Sequence, residues 1–197
     1  MRTRFWGSTG ERLLQEATGS TTRARRFYDG QVLDHLNRRM REFIAYQEML
    51  FVATADSLGE CDCTFRAGPP GFVHVLDDHR LAWPEYRGNG VLASLGNLTE
   101  NPHVGLFFVD FFQNTVGLHV NGRADILDEL PGVPVDPVPG RRAERWVVVR
   151  VEEAYIHCRK HIPRLQKRSE GRRDWGSDDP RSKGGDFFGV AAERDGR

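Results

Sequence analysis

RLAWPEYRGNGVLASLGNLTENPHVGLFFVD (80–110) is the stretch whose reading decides the fold. It runs from an apolar segment, RLAW (80–83), through the turn PEYRGNG (84–90) into VLASLGNLTENP (91–102) and then HVGLFFVD (103–110). Asn101-Pro102 stops a helix, because the residue before proline is pushed out of helical conformation; the pattern predicts a helix from about Val91 to Glu100. HVGLFFVD reads as a strand. Strand, glycine turn, helix and strand describe a parallel βαβ unit, or equally a helix inserted between antiparallel strands.

The turn admits three readings. In the first, Gly88, Gly90 and Ala93 satisfy the dinucleotide fingerprint G-x-G-x-x-A, and Asp110 ends the next strand at a suitable distance. Against it, such a strand runs apolar almost to the first glycine, and here Pro84, Glu85, Tyr86 and Arg87 intervene. In the second, the helix start is a phosphate cradle. Its free backbone N–H groups and dipole favour an anion. Arg87 adds a planar cation, Asn89 and Ser94 add neutral donors, and Gly88 and Gly90 let the backbone come close. In the third, the turn is simply well capped and its arginine solvated.

The flanking sequence bears on the choice. MLFVATA (49–55) has a buried-strand pattern, DSLGE (56–60) is a turn, and DCTFRA (62–67) follows as a strand. GFVHVL (71–76) alternates, and DDHR (77–80) turns into RLAWP. TVGLHVNGRADIL (115–127) and RWVVVRVEEAYIHC (145–158) are two long strands. Connections this short force antiparallel pairing, since a parallel pair needs a longer crossover. Six strands, mostly hairpin-linked around one helix, predict a closed or partly open antiparallel barrel. ELPGVPVDPVPGRR (129–142) reads as a long exposed loop.

Ahead of the barrel, DGQVLDHLNRRMREFIAYQ (29–47) places Val32, Leu33, Leu36, Met40, Phe43 and Ile44 at steps of three and four. That predicts one amphipathic helix, with Asp29 capping its start. The expected organisation is an N-terminal helical segment over 1–48 packed on a barrel over 49–165, then a tail over 166–197. The tail opens with QKRSEGRRDWGSDDPRSKGG (166–185), charged and nearly free of aliphatic residues. It cannot bury enough to order itself alone. Yet DFFGVAA (186–192) follows, an aromatic segment able to dock on its own domain or on a partner subunit; a disordered terminus is the alternative.

The 197 residues suit one domain with an appendage. Lys+Arg and Asp+Glu number 28 each, so the formal charge is zero and no global positive field gathers nucleic acid. No apolar run is long enough to span a bilayer. MRTRFWGSTGERLLQEATG (1–19) lacks the apolar core of a signal peptide, so a cytoplasmic protein is expected. Three cysteines argue against a disulfide framework. Cys61-x-Cys63 with His157-Cys158-x-x-His161 brings zinc to mind, but neither cysteine pair has the usual two-residue gap, and no metal is expected. Cys63 and Cys158 read instead as small buried residues. His157, Lys160 and His161 could supply positive charge after the last strand. FRAGPPGF (65–72) is a stiff loop, either a wall of a binding site or a rigid hairpin link.

CTFRAGPPGFVHVLDDHRLAWPEYRGNGVLASLGNLTENPHVGLFFVD (63–110), followed by LHVNGRADIL (118–127), resembles the FMN-binding split-barrel superfamily of pyridoxamine 5′-phosphate oxidase. The resemblance rests on the order of features: a strand ending in Thr-x-Arg, Gly-Phe-x-x-x-Leu, an arginine-bearing turn, a helix closed by Asn-Pro, a strand, then Val-x-Gly-x-Ala. It covers about residues 45–160. It implies a six-stranded split barrel and a homodimer with FMN at the subunit interface. It further implies a flavin-dependent oxidoreductase acting on a small molecule, with a non-catalytic flavin, deazaflavin F420 or haem binder as the alternative. Arg66, Arg87, Gly88, Asn89 and Ser94 would lie near the flavin phosphate or ribityl chain. Pro84, Glu85 and Tyr86 would follow the flavin, and His119 and Asn121 would come from the long strand near the dimer seam. Lys160 is a further candidate for the phosphate. True pyridoxamine phosphate oxidases carry a lysine in this turn and an arginine–histidine segment at the C-terminus; this chain has neither, so vitamin B6 oxidation is not expected. No acid, base or nucleophile set stands out.

Overall fold

The computed structural model describes residues 6–133, 143–167 and 185–195. The proline-rich part of the loop expected over 129–142 and most of the charged tail fall outside these residues.

The chain opens with α1 (Thr9–Ala17) and α2 (Thr21–Gln31). Ser8 and Glu11 form a reciprocal capping box at the start of α1: each side chain accepts from the other's backbone N–H at 3.1 Å. The helix expected over 29–47 is broken. Asp29 sits in the last turn of α2, and Val32–Leu33 form a short strand, β1, before α3 (Arg38–Ala45) begins behind Asn37. Asn37 Oδ1 accepts from Met40 N at 3.0 Å, which is an N-cap. The three-and-four spacing survives the break because the apolar residues serve different neighbours. Val32 and Leu33 pair with Tyr155 and Ala154, whereas Leu36 and Ile44 are fully buried in the core.

The sheet comprises β2 (Met49–Ala55), β3 (Cys61–Ala67), β4 (His74–Val75), β5 (Arg80–Glu85), β6 (His103–Asp110), β7 (Val116–Leu127) and β8 (Arg145–His157), with β1 at its side. Its order is β3-β2-β6-β7-β8-β5-β4, with β1 on β8. The strands number eight rather than six. Two of the eight are two-residue pairings: β1, inside the segment expected as one helix, and β4, inside GFVHVL. GFVHVL accordingly contributes only His74–Val75, and its Phe72 and Val73 are buried as a loop.

Every pairing among the described strands is antiparallel. That removes the dinucleotide reading of the turn. Asp110, the acidic residue it required, instead accepts the backbone N–H groups of Phe112, Gln113 and Asn114 and so closes the β6–β7 turn. β8 holds the architecture together. Its first half pairs with β5, its second with β1, and its whole length with β7. The β7–β8 register shifts between Asn121 and Gly122, a bulge that bends the pair.

Leu50, Val52, Leu106, Phe108, Val120, Val147 and Val149 project from one face of these strands into a solvent-free core, with Trp83 and Leu36. By the two-residue period of a strand, the alternate residues Phe51, Ala53, Phe107 and His119 occupy the opposite face. α4 (Ala93–Glu100) closes the structure by burying Leu98 in that core.

Candidate functional site

The turn 84–92 is built from both ends. Pro84 and Glu85 are buried at the end of β5, opposite Trp146 and Arg145. Beyond half-buried Tyr86 the chain emerges: Arg87, Gly88, Asn89 and Gly90 are exposed. Asn89 Oδ1 accepts from Val91 N at 3.0 Å, so this side chain shapes its own turn. Gly90 has φ +84°, a conformation glycine adopts without strain. Leu92, at φ 57°, is left-handed too, which delays α4 to Ala93, two residues later than the sequence suggests. The N-cap residue, Leu92, makes no side-chain cap bond to the first amides of α4.

Two side-chain bonds tie α4 to the sheet. Ser94 Oγ donates to Asp62 Oδ2 at 3.1 Å, and Asn97 Nδ2 donates to Thr54 Oγ1 at 3.1 Å. Ser94 is buried, so its hydroxyl is turned towards β3. Arg66 is likewise engaged inside the protein. Its Nε donates to Glu85 Oε1 at 2.8 Å, and its Nη1 donates to Thr64 Oγ1 at 2.9 Å. Trp83 Nε1 donates to the same carboxylate oxygen at 2.7 Å.

On the opposite sheet face, register aligns one residue from each of five strands. Phe65, Phe51, Phe107, His119 and Tyr155 are successive cross-strand partners. Their rings form a continuous row. The His119 ring stacks between Phe107, at 4.5 Å and 18°, and Tyr155, at 4.8 Å and 21°. His119 Nε2 and His157 Nδ1 lie 3.0 Å apart. Burial, and then the neighbouring His157, hold the His119 pKa below that of a free imidazole, so the ring is neutral at pH 7.

Phe51, Phe107 and His119 of this row line a groove of about 600 Å³, with Phe111, His157 and His161 among others. A second groove, of about 500 Å³, is edged by Cys61, Asp62 and His103. Ala53, Cys63, Gly105 and Asn121 line both, so the two form one trough. Asn121 Nδ2 donates to Glu153 Oε2 at 3.3 Å within it. Gly117 packs closely beneath two of these lining residues: a Cβ there would stand 2.7 Å from Phe107 and 2.9 Å from His157.

The expected site residues thus fall into two groups. Pro84 to Asn89 and Ser94 surround the mouth of α4, with Arg66 joined to them through Glu85. His119 and Asn121 line the trough. Lys160 is exposed on a 3₁₀ turn, Arg159–His161, while its neighbour His161 reaches the groove. Cys61, Cys63 and Cys158 are exposed rather than buried, because β3 is an edge strand and Cys158 follows the end of β8. Among the described residues, no three or more His, Cys, Asp or Glu side chains gather as a metal site. Asp62 and Phe107 join the site without having been singled out, and Tyr155 stacks on His119. Strand alternation gives a residue's face but not its cross-strand partner.

A mainly antiparallel split barrel, with a helix start beside β3 and an aromatic trough on its outer face, defines a class of fold and not yet an activity. The chain belongs to the pyridoxamine 5′-phosphate oxidase family, whose model matches residues 36–158, more than half of the 197 residues. None of the curated proteins matches it. Among solved structures it is similar to HupZ of Group A Streptococcus, at 18% identity and a TM-score of 0.45 over 66% of this chain and 98% of that one. It is also similar to a general stress protein 26-related protein of Clostridium acetobutylicum (15% identity, TM-score 0.45, 64% of this chain and 89% of that one). A third is the haem storage protein HutZ of Vibrio cholerae (14% identity, TM-score 0.37, 61% and 94%). Among the described residues, no helix is long and apolar enough to cross a membrane.

Proposed function

We propose that the protein is an FMN-binding oxidoreductase of this family, working in the cytoplasm as a homodimer on a small molecule. The observation that carries the reading is the Ser94–Asp62 hydrogen bond. It sets the mouth of α4 against the strand whose Asp62 and Cys63 edge the trough. On this reading, a terminal anion at that mouth would lie beside a flat ring in the trough.

The residues fit the cofactor. The start of α4 presents amides that its apolar N-cap residue, Leu92, does not cap, and Arg87 precedes that mouth in the turn. Nothing lies within 4 Å of a Cβ added at Gly88 or Gly90, so no side chain there narrows the turn. The trough has the size of a small-molecule site and an aromatic floor. In this reading Arg87, Asn89 and the first amides of α4 hold the phosphate, and the Phe51–Phe107–His119 floor supports the ring. Arg66 acts behind them by fixing the end of β5 through Glu85. Bound FMN would supply the hydride or electron transfer. The chain's own part is to orient the cofactor and to keep the ring's face dry.

A second reading is favoured by one observation: His119, His157 and His161 all line the apolar groove, and His119 is held neutral. Such a surface suits a haem as well as a flavin. Absorbance of the as-purified protein, with the released cofactor weighed by mass spectrometry, separates the readings. FMN bands that bleach with a reductant such as NADPH support the oxidoreductase. A Soret band moves the assignment to haem, and the mass of F420 moves it to the deazaflavin. A colourless protein that takes up no added FMN ends the flavin reading.

A further inference from the structure

Phe187 and Phe188, near the end of the chain, are 85% and 88% exposed. Their rings meet edge to face at 5.3 Å. The residues after them are locally ordered: Asp186 Oδ1 and Oδ2 accept from Val190 N and Ala191 N at 2.9 and 2.8 Å, starting the six-residue helix α5 (Val190–Asp195). A helix of that length is too short to persist in water by itself. An exposed phenylalanine pair on a pre-shaped turn, with no described residue covering it, is built like an anchor.

The complementary surface lies where the tail begins. Phe111, Ile162 and Pro163 are apolar residues that line the groove. The chain continues from there as a strap held on the β6–β7 turn. Leu165 N donates to Phe111 O at 2.8 Å, Arg164 Nη2 donates to Gln113 O at 2.7 Å, and Lys167 pairs with Glu48. Leu165 is 48% exposed beside it. The tail therefore leaves from the rim of an apolar surface that it partly builds.

We propose that the Asp186–Val190 segment docks on this end of the trough in its own chain, seating Phe187 and Phe188 against Phe111, Ile162 and Pro163 and covering the groove beside His157 and His161. The tether allows it. Eighteen peptide steps separate Lys167 from Gly185. At roughly 3.3–3.6 Å each they reach about 65 Å at most, and docking within one chain gains from the effective concentration of covalent linkage. An unassociated second copy has no such advantage. The inference concerns the cover and not the group beneath it, so it stands or falls separately from the flavin reading.

The test uses the full chain carrying F187A/F188A, whose substitutions lie at exposed positions and leave the barrel intact. A synthetic peptide of residues 185–195 is titrated into it while the Ile162 methyl signals are followed by NMR. Saturable shifts at Ile162 are expected. A peptide with both phenylalanines replaced by alanine should give none, and the wild-type chain should take the free peptide about tenfold more weakly, because its own segment competes. No shift at Ile162, or equal binding to wild type and double variant, overturns the docking. Sedimentation gives the second arm. Equal masses for wild type and double variant are expected; loss of a dimer on double substitution would place the pair on a neighbouring copy and overturn docking within one chain.

Discussion

Arg66 and Glu85 meet at 2.8 Å between the ends of β3 and β5, strands with four others between them in the pairing order of the sheet. Their side chains are only 22% and 10% exposed. The pair is thus a bridge across the split of the barrel, and the Trp83 indole completes it. Removing the arginine leaves a largely buried carboxylate with one neutral donor. Arg66→Ala is expected to lower the free energy of unfolding by about 3 kcal/mol. Glu85→Gln should cost less, because its amide oxygen still accepts from Trp83. Urea denaturation of the two variants gives both numbers, and equal losses would contradict this account.

Gly122 stands at the bulge where β7 and β8 shift register, and a Cβ there would collide with the Arg150 carbonyl of the facing strand. Backbone cannot swing aside as the tip of a side chain can. Gly122→Ala is expected to cost about 1–3 kcal/mol, read as a fall in Tm. Gly96, where an added Cβ meets nothing, is the control: alanine there should be neutral or slightly stabilising.

Much of this architecture is legible in the sequence. The limits of β2 and β6 follow from MLFVATA and HVGLFFVD because each strand runs between turn residues. The antiparallel pairing follows from the short connections. The helix over 29–47 was misread because periodicity does not say which neighbour each apolar residue serves, and Val32 and Leu33 serve β8. The site shows the same division. Arg87 and Asn89 are visible because a helix start has its own local chemistry. The row Phe65–Phe51–Phe107–His119–Tyr155 is invisible because it exists only once five strands are in register. The Ser94–Asp62 contact joins residues 32 apart and leaves no local pattern.

His119 gives a prediction about pH. Burial, then His157, lowers its pKa in the folded protein relative to an ordinary value near 6.5. Burial lowers that of His74 as well. Between the folded and unfolded pKa values the unfolded chain binds more protons, so stability rises with pH there. The contribution is whole above about pH 6.5 and is lost progressively as the pH falls below it. The denaturation midpoint of the wild type should therefore drop from pH 7 to pH 5. His119→Phe keeps a ring for stacking and removes the titrating group, so its midpoint should drop less, with the remainder owed in part to His74. Parallel slopes for the two proteins would remove His119 from the explanation.

Arg87 tests the anion site directly. It is exposed at the mouth of an uncapped helix, so its replacement should leave the core untouched. A charge-assisted contact to a phosphate contributes about 1.5–3 kcal/mol, which corresponds to roughly a 10-fold to 100-fold change in affinity. Arg87→Ala is expected to weaken FMN binding by that factor, measured by fluorescence quenching of added flavin, with an unchanged Tm in the absence of flavin. Riboflavin, which lacks the phosphate, should bind wild type and variant alike. If Arg87→Ala weakens riboflavin as much as FMN, the arginine supports the ring or the fold and the phosphate lies elsewhere.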